Sequence, residues 1–136
     1  MGHGKAVLNL YKDIADILDL LHLSHEAIIC VGMAQDIVVF NDGAEEIFGY
    51  KVNEIIGRPL DALIPERYQK QHSQQLSEFM RGNNRSKLMA QRGPVTGRRK
   101  DGKEFIAHAS ISKFSYGGEI TMAVVLHEID SHEPRA

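Results

Sequence analysis

The sequence lacks the features of several broad protein classes. It contains a single cysteine, Cys30, so no disulfide can form within the chain. No apolar run approaches the roughly 20 residues of a membrane-spanning helix, and the N-terminus lacks the apolar core of a signal peptide. The formal net charge of −2 gives no general attraction for nucleic acid or for an anionic membrane. These absences predict a cytoplasmic location, no nucleic-acid partner and no membrane insertion by this segment.

Signatures of catalysis and of metal binding are also missing. There is no phosphate-binding loop and no catalytic triad. His22 and His25 have a spacing that suits metal ligands, but no second pair of ligands completes a site. Glu45, Glu46 and Glu54 lack a defined partner for acid–base catalysis and are expected at helix starts or in solvent. We therefore expect no catalytic residue, no metal site and no enzymatic activity in this chain itself.

The chain has 136 residues, 43% of them apolar and 25% charged, which is enough for one globular domain with a packed core. Its most informative stretch is residues 36–65. The apolar run from Ile37 to Phe40 predicts a strand, and Asn41 and Asp42 can cap the helix that follows. Glycine and proline residues divide the rest of the stretch into several short helical turns. Such a series can wrap a small cavity instead of forming one long packed helix.

The remaining elements indicate an α+β fold. Residues 104–114 alternate between apolar and polar side chains, as expected for a strand with one buried face. Asp101-Gly102 is the strongest hairpin signal, and the basic residues 98–100 beside it are expected to be solvated. The last strand is more continuously apolar, so we expect it to be central and covered on both faces. Strands are predicted at residues 24–32, with 27–31 as the centre, and at 37–41, 91–100, 104–114 and 119–129. A helix is predicted at residues 66–81 and a loop at residues 83–90.

Residues 6–23 have the spacing of an amphipathic helix. Its apolar stripe consists of Val7, Leu10, Ile14, Ile17, Leu18 and Leu21, and all of these except Leu18 are the predicted interface residues of a dimer. Tyr11, Leu20 and Leu23 widen that stripe, so the helix needs more than one surface to bury against. One alternative is a helix that packs only on its own domain. The other, which we favour, is a helix that also forms the interface of a homodimer.

Two segments carry a family resemblance. The runs VVFNDGAEEIFGYKVNEIIGRPLDALIPERY and VTGRRKDGKEFIAHASIS resemble the first and second halves of a PAS domain, and the resemblance covers about residues 25–130. It implies a five-stranded antiparallel sheet of order 2-1-5-4-3 with short helices on one face. It also implies a bacterial sensory module that acts in a homodimer and is attached to an output domain, such as a histidine kinase or a cyclic-dinucleotide enzyme. The chain then divides into a dimerisation helix (residues 1–24), the sensory domain (25–130) and a polar tail (131–136).

The resemblance does not decide whether the domain binds a cofactor. His72 is expected on the apolar face of the helix at residues 66–81, and Arg92 follows twenty residues later. This pair is similar to the oxygen-sensing haem PAS domains, in which the helix histidine ligates iron and an arginine faces the bound gas. Light-sensing flavin PAS domains instead need a reactive cysteine in a helix, whereas Cys30 lies in a predicted strand, which leaves only a non-covalently bound flavin as a further alternative. No permanent cofactor is our default.

Three functions remain as alternatives: a module that responds to a small ligand or a protein partner, a haem gas sensor that uses His72, and a dimerisation module with a filled core. The predicted walls of a ligand pocket, chosen from the resemblance and from apolar position, are Phe48, Leu60, Leu63, Ile64, Leu76 and Met122.

Overall fold

The computed structural model describes residues 26–82, 86–87, 93–116 and 118–129. The strands are β1 (Ala27–Val31), β2 (Ile37–Phe40), β3 (Ser86–Lys87), β4 (Val95–Arg98), β5 (Glu104–Tyr116) and β6 (Glu119–Glu128). The helices are α1 (Asp42–Phe48), α2 (Val52–Ile55), a 3₁₀ helix (Leu60–Leu63) and α3 (Glu66–Arg81). The predicted N-terminal helix with its five interface residues, Arg92 and the polar tail lie outside the described residues.

All strand pairs are antiparallel and form one sheet in which β2, β1, β6 and β5 follow one another. Both β3 and β4 pair with β5, at residues 111–112 and 104–107. These two short strands therefore share the position of one edge strand. Counted in that way, the sheet has the predicted five-strand order 2-1-5-4-3, which confirms the α+β fold.

The edge strand differs from its prediction. Ser86 and Lys87 were expected in a loop, but they pair with β5, so that expectation is wrong. The regular pairing of β4 begins only at Val95, directly after Pro94, which has no N–H group to donate to a neighbouring strand. The predicted strand start at Gln91 lies outside the described residues.

Strand β6 is central, as predicted, but its two faces are buried to different degrees. Met122, Val124 and Leu126 face the core and are buried, whereas Ala123 and Val125 on the other face are only half-buried. The inner face of this strand is therefore covered, and its outer face is covered in part. The described helices contribute their buried side chains to the core on the inner face only.

The short helices of residues 42–63 follow from their boundary residues. Asn41 caps α1, since its Oδ1 accepts a hydrogen bond from the backbone N–H of Ala44 at 2.9 Å. Gly49 ends α1 with φ of +80° and Gly57 has φ of +85°, a left-handed conformation that glycine adopts without a steric penalty. The series of separate turns predicted from the sequence is confirmed.

Helix α3 spans the predicted residues. It buries Leu76 and Phe79 against the sheet. At its C-terminal end, Lys113 Nζ on β5 donates to the carbonyl oxygens of Phe79, at 2.6 Å, and Gly82. A cation at this end adds a hydrogen-bond donor for carbonyl groups at the end of the helix, and it complements the helix dipole.

Candidate functional site

A cavity of about 880 Å³ lies between the inner face of the sheet and the helices. Its floor is formed by β1, β4, β5 and β6, its cover by α3, and one side by α1 and the 3₁₀ helix. Gln75 and Glu78 on α3, and Gly93 and Pro94 before β4, line the cavity and are exposed. Among the described residues, the cavity is therefore open between α3 and β4, and we call this opening the mouth.

The interior of the cavity is apolar. All six side chains predicted as pocket walls line it: Phe48, Leu60, Leu63, Ile64, Leu76 and Met122. Each of them is buried. Whether they contact a ligand stays a prediction.

Strand β5 contributes several of the wall residues that the sequence reasoning did not select. Phe105, Ala107 and Ala109 line the cavity from the floor. The ring of Phe105 meets that of Phe48 edge-on, with centroids 5.2 Å apart. The two alanines leave space above the sheet where larger residues would fill it. The alternation of residues 104–114 had placed these side chains on one face, so the signal was present in the sequence.

Position 97 on β4 has to be glycine because of Phe105, its cross-strand neighbour on β5. A Cβ atom at this position would lie 2.5 Å from Cζ of Phe105, closer than any ordinary contact. Only glycine allows the Phe105 ring to lie over this edge of the sheet. Gly97 thus sets the position of one cavity wall.

His72 lies on α3, one turn before Leu76, and lines the cavity. It is half-buried, close to the exposed residues of the mouth. Among the described residues it is the one histidine on the cavity wall. Its predicted partner, Arg92, lies outside the described residues, so the structure does not bring the two together or separate them.

Of the basic residues 98–100, which were expected to form a solvated tip, only Lys100 is exposed. Arg98 and Arg99 are half-buried. Arg99 donates to the carbonyl oxygen of Ile47 in α1 and forms an ion pair with Glu128. Its guanidinium carbon lies 4.4 Å from the centroid of the Phe105 ring. These partners, which come from distant parts of the chain, explain why the local charge pattern was misleading.

Two exposed ion pairs lie outside the cavity. Arg67 binds both carboxylate oxygens of Glu104, at 2.7 and 2.5 Å, and this contact lowers the pKa of Glu104. Lys100 binds Glu54 at 2.6 Å and lowers the pKa of that carboxyl. Both pairs are solvent-exposed, so they are expected to contribute little to stability.

The outer face of the sheet carries two further groups. His108 and His127 are direct cross-strand neighbours, and Nδ1 of His108 is buried with no hydrogen-bond partner in the described part of the chain. Cys30 is buried in β1, and burial raises the pKa of its thiol from 9.0 to about 11.

Within the described ranges, no three His, Cys, Asp or Glu side chains come together as a metal site. No helix there is long and apolar enough to cross a membrane.

The structure is thus a single antiparallel sheet with short helices closed over an apolar cavity. The comparisons identify its family. The PAS domain family matches residues 25–131. The crystal structure of the PAS domain of a protein from Colwellia psychrerythraea superposes with a TM-score of 0.71 at 18% identity, covering 88% of this chain and 97% of that chain.

Two curated relatives are signalling proteins. Sensor protein FixL of Bradyrhizobium diazoefficiens is 29% identical over 114 residues, which are 84% of this chain and 22% of FixL. Oxygen sensor protein DosP of Escherichia coli K12 is 25% identical over 92 residues, 68% of this chain and 11% of DosP. The chain thus spans about a fifth or less of these relatives. It belongs to the PAS domain family, whose members are sensory and regulatory modules of signalling proteins.

Proposed function

We propose that this domain regulates a larger signalling protein by binding a small, largely apolar ligand in the cavity. The observation that carries the proposal is the cavity itself. Its volume of about 880 Å³ lies within the roughly 300–1,000 Å³ of small-molecule sites. The apolar interior suits the body of such a ligand, and the polar residues at the mouth suit a hydrogen-bonding end.

The mechanism we propose is a shift between two arrangements of helix α3. The helix presents Leu76 and Phe79 to the cavity and is fixed at its end by Lys113. A ligand that contacts these side chains in only one arrangement raises the population of that arrangement. An attached output domain, such as a histidine kinase or a cyclic-dinucleotide enzyme, would respond to this change.

Mass spectrometry of small molecules released from the purified protein tests this function, followed by thermal-shift measurements with the candidates found. The variant Ala109→Met places a larger side chain in the cavity and should abolish the ligand-induced increase in Tm. Ser112→Met, on the exposed face of the same strand, is the matched control and should keep that increase. A protein that releases no molecule and shows no shift with any candidate would indicate the dimerisation module instead.

Haem is a second candidate ligand, favoured by the position of His72 on the cavity wall. A neutral imidazole is a good axial ligand for iron, and the relative DosP is named an oxygen sensor. The residues present fit the group: the walls are apolar and Ala107 and Ala109 leave room above the sheet. His72 would bind the iron, and the bound haem would supply the site for a gas molecule.

The haem hypothesis is tested by adding haemin to the purified protein and recording the absorption spectrum. A Soret band that is lost in His72→Ala and kept in His127→Ala would support it, since His127 is exposed on the outer face of the sheet. A protein that shows no haem absorbance after free haemin has been removed by gel filtration excludes haem and leaves the apolar-ligand proposal standing.

We also propose that the domain forms a homodimer through the N-terminal helix. The apolar stripe of residues 6–23 and the tendency of PAS domains to dimerise support this. Leu10→Asp or Ile17→Asp should give a monomer in light scattering, whereas Lys12→Asp on the polar side of the helix should stay dimeric. An unchanged mass in both apolar-face variants would exclude this helix as the contact.

A further inference from the structure

Gln35, in the turn between β1 and β2, has an unusual backbone conformation. Its φ is +64°, and among the described residues it is the one non-glycine residue with a positive φ. A side chain clashes with its own backbone in this region, and glutamine lacks the local hydrogen bonds that make asparagine and aspartate more tolerant. A strained residue persists only where the surrounding contacts hold it, so the contacts of Gln35 are informative.

Those contacts reach helix α3 across a large sequence separation. Gln35 Nε2 donates to the backbone oxygen of Ser73 at 3.3 Å and to Oγ of Ser77 at 3.1 Å. Ser73 Oγ donates in return to Gln35 Oε1, also at 3.1 Å. The backbone oxygen of Gln35 accepts from the N–H of Leu60 at 2.9 Å. One residue of the turn is thus bonded both to the start of the 3₁₀ helix and to the middle of α3.

The bonds from Gln35 reach α3 at the part of the helix that covers the cavity. Ser73 and Ser77 are one turn apart, and each directly follows a cavity-lining residue, His72 and Leu76. The cavity lies beneath this part of the helix. In a filled core, tightly packed side chains at this place would hold the helix in position. The Gln35 bonds hold the middle of α3, whereas Arg67 binds Glu104 near its N-terminal end and Lys113 binds its C-terminal end.

We propose that Gln35 is a positioning residue that holds α3 over the cavity and so controls how readily the cavity opens. Its positive φ is part of the turn, in which Gln35 N–H donates to the carbonyl oxygen of Gly32 at 2.9 Å, and it directs the side-chain amide toward both serines. The effect on ligand entry rests on the proposed function of the cavity, whereas the effect on the helix does not.

Hydrogen exchange of the full chain tests the effect on the helix. The variant Gln35→Asn keeps the amide and tolerates a positive φ better, but its side chain is one C–C bond too short to reach α3. Loss of these hydrogen bonds should speed exchange of the α3 amides roughly 5- to 30-fold. Amides of β5 and β6 should exchange as in the wild type. Ala34→Gly, an exposed change in the same turn, is the control and should leave α3 unchanged.

A second variant, Ser73→Ala/Ser77→Ala, removes the partners on the helix. It should speed exchange of α3 although alanine favours helix formation. Combining it with Gln35→Asn should add nothing further, because both changes remove the same bonds. The proposal is overturned if α3 exchanges at the wild-type rate in Gln35→Asn, or if the effects of the two variants add.

Ligand entry is measured with the neutral fluorophore N-phenyl-1-naphthylamine in a stopped-flow experiment. Its association rate should rise in Gln35→Asn by about the factor seen in exchange and stay unchanged in Ala34→Gly. If the fluorophore binds but enters Gln35→Asn at the same rate as the wild type and Ala34→Gly, Gln35 does not control entry, and that part of the proposal is wrong. If the fluorophore does not bind the wild type, the apolar-ligand function fails, and the exchange data alone decide the role of Gln35.

Discussion

Replacing Asn41 by alanine should cost a large part of the stability of this domain. Asn41 is fully buried, and its Oδ1 accepts hydrogen bonds from the N–H groups of Ala44, at 2.9 Å, and Ile28, at 2.8 Å. Its Nδ2 donates to the backbone oxygen of Glu26 at 3.1 Å. The side chain therefore links the start of β1 to the start of α1, and Asn41→Ala removes all three bonds at once.

The expected loss follows from these bonds. An N-cap is worth about 1 kcal/mol, and a buried N–H group left without a partner, here that of Ile28, costs about 1–3 kcal/mol. Their sum is about 2–4 kcal/mol, against a typical total of about 5–15 kcal/mol for a small domain. Urea unfolding followed by circular dichroism measures this loss directly.

A matched control separates the buried network from a general effect of losing an asparagine. Asn53 lies in α2 and is exposed, so Asn53→Ala should change the free energy of unfolding by less than about 0.5 kcal/mol. The reasoning is refuted if Asn41→Ala loses less than about 1 kcal/mol, or if the two variants lose the same amount.

Three further changes have definite expected results. Gly97→Ala forces a methyl group to within 2.5 Å of the Phe105 ring and should lower the free energy of unfolding by about 1–3 kcal/mol in urea. The raised pKa of Cys30 means that the unfolded thiol ionises first, so stability should fall between pH 9 and about 11, by at most about 1.4 kcal/mol per pH unit, and Cys30→Ala should remove this slope. Because Arg67 lowers the pKa of Glu104, their contact stabilises the fold above pH 4.5 and is lost as the pH falls through the lower folded-state pKa. Glu104→Gln should therefore weaken the acid dependence of Tm.

Each of these expectations has a control or a contrary result. Gly93→Ala, where an added Cβ meets no atom within 4 Å, should be nearly neutral, and an equal loss in both glycine variants would contradict the Phe105 clash. A wild-type alkaline slope that persists in Cys30→Ala would show that another group is responsible. Arg67→Ala should reproduce the acid profile of Glu104→Gln, and different profiles would mean that the two side chains do not act as a pair.

Much of the fold could be predicted because its signals act between close neighbours along the chain. Asn41 caps the helix that begins at the next residue, and Gly49 ends it seven residues later. The alternation of residues 104–114 identified the buried face of β5, and Asp101-Gly102 marked the hairpin before it. These preferences depend on backbone conformation and on the period of burial, so they can be read without knowing the partner elements.

The candidate site could be predicted only in part. The six apolar residues chosen as pocket walls do line the cavity, since a residue that faces the core is also a residue that can face a space within it. The sequence could not show that a space remained there. Its volume depends on small residues opposite one another, such as Ala107 and Ala109, and on how far α3 stands from the sheet.

By itself, the sequence determined the order of the strands and short helices, the apolar faces and the family. Only the tertiary structure shows that Arg99 is bound, that a side chain at Gly97 would clash with Phe105, and that Gln35 is hydrogen-bonded to α3. Arg99 is bound to Ile47 and Glu128, and Gln35 to Ser73 and Ser77, over separations of 29 to 52 residues. Such contacts leave no local pattern, because a polar side chain reads the same in a sequence whether its partner is water or a distant strand.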